Sequence, residues 1–140
     1  MKTLLLILLP LISYSQSIYL ATGYNGSYYA EHNLYQDNIP IEIGMQLDIK
    51  DIRLGVAIGN NREMYYKGTF SATFDKKIEP SLSLLWYDGY YESTQGKRFG
   101  AELNILYRIK HISPRFDIGF DNKRIYFNLT LSVYVSDKRC

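Results

Sequence analysis

Two places in this chain of 140 residues could hold a reactive constellation. His111 and Ser113 stand two apart, with Glu102 and Arg108 close in sequence. A nucleophilic serine needs an imidazole within hydrogen-bond reach and a carboxylate to orient the ring. His32 lies among polar residues with Glu31 and Asp37, and Asp88 and Ser93 could join it from a later loop. These are the only two histidines, and neither has a second ligand at metal spacing, so no metal site and no cofactor is expected. A third set is larger and less conventional. Glu42, Asp48, Arg53, Lys67, Glu79, Glu102, Arg108, Arg115 and Asp117 are spread over the chain with acids and bases nearly balanced. What they can do depends on the elements that carry them.

Those elements are strands. From residue 98 onward the even–odd alternation is regular. Phe99, Ala101, Leu103, Ile105, Tyr107 and Ile109 are interleaved with polar or small residues, as are Ile112, Pro114, Phe116, Ile118 and Phe120, and then Ile125, Phe127, Leu129, Leu131, Val133 and Val135. A period of two marks strands with one apolar and one polar face. The same pattern runs through residues 39–49, 52–58, 64–74 and 78–87, and more briefly through 17–24, which makes eight strands. Phase is kept across tight turns: Ile49 and Ile52 flank Lys50-Asp51, Ile109 and Ile112 flank Lys110-His111, and Phe74 and Ile78 flank residues 75–77. Paired residues in a hairpin share a face, so this is the signature of an antiparallel up-and-down meander. Residues 25–38, 59–63, 88–97 and 121–124 read as loops of roughly fourteen, five, ten and four residues, against two, three and two at the other end. No helical periodicity of useful length is present.

The start of the chain predicts a leader. Lys2 precedes an apolar run from Leu4 to Ile12, and Ser13-Tyr14-Ser15 supplies small residues at a cleavage site before Gln16. The apolar run is too short for the roughly 20 residues of a membrane helix. This gives a signal peptide over 1–15 and one domain over 16–140. The formal charge of +2 includes Lys2, leaving +1 after cleavage, which gives no basis for nucleic-acid binding. The single cysteine, Cys140, excludes an internal disulfide. Tyrosine is abundant, at 14 residues. It suits strands, and also places where one end of a side chain is apolar and the other wet.

Eight antiparallel amphipathic strands fit two architectures. A secreted lipocalin-like calyx turns its apolar face inward around a small apolar ligand; an outer-membrane barrel turns it outward into lipid. Four features favour the second. The polar face is rich in small residues (Ala21, Gly23, Gly44, Gly55, Ala57, Ser71, Ser83, Gly119), which suits a lumen only just wide enough for side chains. The nine charged residues named above nearly balance on that face, as an interior polar network must, and the Lys50-Asp51 turn sets Asp48 opposite Arg53. Aromatic residues on the apolar face gather near strand ends: Tyr24, Tyr66, Trp86, Phe99 and Phe120 toward the loops, Phe74 and Tyr107 toward the turns. That is the two-girdle pattern of membrane interfaces. Several strands also reach the roughly 9–11 residues that a tilted membrane strand needs.

On these grounds the mature chain resembles the small eight-stranded outer-membrane barrels of Gram-negative bacteria. The resemblance implies periplasmic termini, exposed loops, contact with outer-membrane lipids and delivery by the barrel assembly machinery. Such barrels commonly finish on an aromatic residue, whereas here Tyr134 is followed by Val135 and the tail 136–140. The expected role is structural or one of surface contact, with the barrel monomeric and without an open pore. The loop tyrosines Tyr28, Tyr29, Tyr35, Tyr90 and Tyr91 offer a surface for a ligand, or extend the girdle. Some outer-membrane barrels modify lipid A. The His111–Ser113 pair faintly resembles the deacylases, but it falls on the turn side. His32, Asp88 and Ser93 could be cast as an acyltransferase set, which no motif supports.

Overall fold

A computed structural model describes residues 16–49, 51–61, 63–72, 77–88 and 98–136. The leader, Phe74, Tyr90, Tyr91, Ser93 and Cys140 lie outside them. The strands are β1 (Gln16–Tyr29), β2 (Leu34–Asn38), β3 (Ile41–Ile49), β4 (Ile52–Asn61), β5 (Glu63–Ala72), β6 (Ile78–Asp88), β7 (Arg98–Tyr107), β8 (Ile112–Asp121) and β9 (Arg124–Ser136). Each pairs antiparallel with its neighbour, and β1 also pairs with β9, closing the sheet into a barrel. β2 and β3 form one stave. Both lie on β1 in the same register, Asn25 opposite Asn38 and Thr22 opposite Ile41. The ladder is interrupted at Ile39-Pro40, where proline has no N–H to give. Nine strand segments therefore make eight staves.

The pairings follow the alternation in the sequence. Asp48 faces Arg53, Ile49 faces Ile52, Ile109 bridges to Ile112, Gly119 faces Tyr126 and Asp117 faces Asn128. One face of every stave points outward. Ile43, Val56, Leu84, Leu103, Phe116, Ile118 and Leu129 are all exposed, Leu84 at 68% and Leu103 at 66%. The other face is buried and largely polar. The core of this fold is a lumen of serines, asparagines, tyrosines and charges.

Two expectations are corrected. Residues 25–38 are not a loop: β1 runs to Tyr29, a 3-10 turn occupies Ala30–His32, and β2 returns beside it. Residues 59–61 and 63 likewise belong to strands, with Asn61 opposite Glu63. Polar composition suggested loops, but inward-facing polar residues are what a lumenal strand carries. Among the described residues the long-loop end is thus largely strand, and the expected loop at 89–97 lies outside them.

Close approach shapes the lumen. Tyr19, Tyr65 and Tyr126 each lie opposite a glycine on the next stave: Gly44, Gly59 and Gly119. A Cβ at these glycines would stand 2.5, 2.2 and 2.3 Å from the facing ring. The ring occupies the space where a side chain would be. Toward the C-terminus, Val135 is an extra residue in the β1–β9 ladder, between Tyr134 opposite Tyr19 and Ser136 opposite Ile18. Tyr134 itself points inward and packs on Tyr19 with ring centroids 5.6 Å apart.

Candidate functional site: a layered ionic lumen

The inward charges form three layers. Nearest the turns, Arg53 from β4 donates through Nε to Asp48 Oδ1 at 2.7 Å and through Nη1 to Glu79 Oε2 at 2.7 Å. Arg108 Nη2 reaches the same Glu79 oxygen at 3.3 Å and lies 5.0 Å from the Tyr134 ring. Arg53 is 1% exposed. An arginine can serve two carboxylates at once because its donors form a planar fork.

The middle layer is denser. Glu42 accepts from Tyr19 Oη at 2.8 Å, Tyr65 Oη at 2.7 Å, Lys67 Nζ at 3.3 Å and Arg115 Nη1 at 2.8 Å. Lys67 also donates to Glu102 Oε1 at 2.6 Å, and Arg115 Nε pairs with Asp117 Oδ1 at 2.9 Å. Asn104 Nδ2 bridges Glu102 and Asp117, the latter at 3.0 Å, and Asn128 Nδ2 donates to Asp117 Oδ2 at 3.2 Å. Tyr126 Oη donates to Glu102 Oε2 at 3.0 Å. Six staves contribute. Period-two alternation makes this possible, because it aims every second side chain at one axis.

The third layer, toward the loops, is one that reasoning from the sequence missed. Glu63 pairs with Arg98, Arg98 Nε stands 3.6 Å from Asp121 Oδ2, and Arg124 Nε donates to Asp121 Oδ2 at 3.2 Å. Arg98 and Arg124 lie over the Tyr87 ring at 5.0 and 5.1 Å, and Arg124 also lies 5.1 Å from the Tyr126 ring. Such stacking suits guanidinium. The signal was present: Glu63, Arg98, Asp121 and Arg124 each sit one residue beyond an outward Met64, Phe99, Phe120 or Ile125, in phase with the lumen.

The nine charges named from the sequence thus fall into the first two layers: Asp48, Arg53, Glu79 and Arg108 in one, Glu42, Lys67, Glu102, Arg115 and Asp117 in the other. The girdle residues Tyr24, Tyr66, Trp86, Phe99, Tyr107 and Phe120 all face outward, with Tyr66, Trp86 and Phe99 in a continuous contact at 6.3 and 6.0 Å. The loop tyrosines of the first hairpin are on strands. Tyr28 and Tyr35 point outward, with Tyr35 Oη 2.9 Å from Tyr24 Oη, and Arg124 Nη1 donates to Tyr29 Oη at 3.3 Å.

The His111–Ser113 pair does not assemble, and Ser93 of the other reactive set lies outside the described residues. Ser113 is buried in the lumen with no hydrogen-bond partner for its Oγ, while His111 is exposed in the turn. His32, Glu31, Asp37 and Asp88 are all exposed. Among the described residues no group of three or more His, Cys, Asp or Glu could hold a metal ion.

No protein-family model and no curated protein matches the chain. Solved structures do. A chain from the de novo design of transmembrane β-barrels superposes with a TM-score of 0.59 at 16% identity, over 85% of this chain and 95% of that one. Neisserial surface protein A superposes with a TM-score of 0.56 at 11% identity, over 86% and 96%. At such identities the likeness is one of fold: a closed, eight-stranded, antiparallel barrel of the transmembrane type.

Proposed function

We propose that this chain is an outer-membrane barrel with a structural or surface-contact role, and neither a pore nor an enzyme. The observation that carries the reading is the inversion of the usual burial pattern. Branched and aromatic side chains cover the outside, and ion pairs fill the inside. In water such an outer surface would drive association, whereas in lipid it is the stable arrangement. The lumen does not suit a calyx, which needs an apolar hollow; the void between the turn-side and middle layers is about 20 Å³ and lined by Gln46, Lys67, Glu79 and Arg115. Ion pairs in every layer also stand where water would have to pass.

Outer-membrane lipids are the partners of the outer wall in this reading, and the barrel assembly machinery delivers the chain. A surface contact would fall to the first hairpin, where Tyr28, Leu34 and Tyr35 are exposed around the turn at Ala30–His32. The test is cell fractionation with electrophoresis of unheated and boiled samples. Recovery in the outer membrane, with a mobility shift on boiling, is expected. A soluble product with one mobility would overturn the proposal.

A further inference from the structure

The three layers do not carry the same net charge. The turn-side layer sets Asp48 and Glu79 against Arg53 and Arg108, two against two. The loop-side layer sets Glu63 and Asp121 against Arg98 and Arg124, again two against two. The middle layer sets Glu42, Glu102 and Asp117 against Lys67 and Arg115, three against two. All five of its members are buried, none more than 7% exposed. A carboxylate left over in such a place is costly, and a buried group in that position neutralises by taking up a proton.

We propose that the middle layer binds one proton at neutral pH and that Glu102 carries it. The three carboxyls are not equivalent candidates. Glu42 meets both cations, Lys67 and Arg115, and accepts from two tyrosine hydroxyls besides, so its charge is the best compensated of the three. Asp117 holds Arg115 Nε with both oxygens, at 2.9 and 3.1 Å, and its remaining contacts are the amide nitrogens of Asn104 and Asn128, which cannot accept. Glu102 has a single cation, Lys67, shared with Glu42. Its Oε2 faces Tyr126 Oη at 3.0 Å and Asn128 Nδ2 at 3.5 Å, and its Oε1 accepts from Asn104 Nδ2 as well as from Lys67; of these neighbours the hydroxyl alone can accept as well as donate. Tyr126 Oη is in turn 3.2 Å from Tyr87 Oη. When Glu102 is protonated, the two hydroxyls rotate: Glu102 Oε2 keeps its proton and donates a hydrogen bond to Tyr126 Oη, and Tyr126 Oη donates in turn to Tyr87 Oη, the reverse of the direction these bonds take around an ionised Glu102. No bond is broken in the protein; the proton enters from water as the barrel closes.

The groups that set this balance come from every stave around Glu102. They are Glu42 on β3, Lys67 and Tyr65 on β5, Tyr87 on β6, Arg115 and Asp117 on β8, and Tyr126 on β9. Tyr19 on β1 acts through Glu42, while Arg53 on β4 is engaged by Asp48 and Glu79 in the adjoining layer.

Infrared difference spectroscopy of the full barrel in phospholipid vesicles tests this. At neutral pH the wild-type barrel should show the carbonyl stretch of one protonated carboxylic acid, shifted on exchange into deuterium oxide. Glu102→Gln should remove that band and leave the heat-modifiable mobility in place. Tyr126→Phe, which deletes the acceptor, should move the band to higher frequency, and this arm decides the matter if Glu102→Gln fails to assemble. A wild-type spectrum without the band would overturn the proposal, with the excess charge then met by a bound metal cation or left bare. So would a band that survives Glu102→Gln, or one that Tyr126→Phe leaves unmoved.

Discussion

On β7, neighbouring residues live under different rules. Glu102 and Asn104 face the lumen, and each side-chain polar atom of these two residues has a partner there. Leu103 and Ile105 face outward, 66% and 55% exposed. The inner wall is held by particular pairings that fail one at a time. The outer wall is held by a general property, apolarity, that tolerates any side chain sharing it. The inner face therefore fixes which barrel forms, and the outer face fixes where it resides.

That contrast can be broken at several points. The largest expected effect is at Arg53. Arg53→Ala removes the cation between Asp48 and Glu79 and should cost about 3–5 kcal/mol, as for other buried pairs that lose one member. Urea unfolding in lipid vesicles measures it, and an unchanged midpoint would mean that the turn-side layer adds nothing. Next comes Leu103→Arg, on the outer wall. It should cost about 2–4 kcal/mol in a bilayer if the position sits near the midplane. A cost near zero would show that the position does not meet lipid. Gly119→Ala should cost about 1–3 kcal/mol, because its Cβ would intrude on the Tyr126 ring. The double variant with Tyr126→Leu should recover part of that loss, and strict additivity would argue that the glycine and the ring are not coupled. The smallest effect should be Ile105→Leu, within about 0.5 kcal/mol. A large loss there would mean that the outer wall is as specific as the lumen.

Much of this was legible beforehand. Alternation gave the strand phase, and the pairs Asp48–Arg53 and Asp117–Asn128 follow from turn position alone. The balance of signs on the polar face pointed to a filled lumen. What could not be read was where strands stop. A lumenal strand and a solvated loop share a composition, so residues 25–38 and 59–63 passed for loops and the Glu63–Arg98–Asp121–Arg124 layer went unnoticed. The tyrosines inside the lumen were hidden for a related reason. Tyr65 and Tyr87 fall on the polar face by parity, but only the register shows that Gly59 makes room for Tyr65. Grouping of the charges into layers depends on strand tilt and stagger, which no single strand reveals.

The seam between β1 and β9 has a consequence in time. Asn25 donates to Asn128, 103 positions further along the chain, and the same seam joins the first stave to the last along its length. Every other junction is between staves consecutive in the chain. The hairpins can therefore form early and locally, whereas closure must wait for the last stave to arrive. Contacts of such long sequence separation are the slow ones. Until that moment both seam edges stand open, with unpaired amides and carbonyls ready to take any strand offered. The most vulnerable state of this barrel is thus the nearly complete one, and a chain truncated within β9 should aggregate sooner than one lacking an internal hairpin.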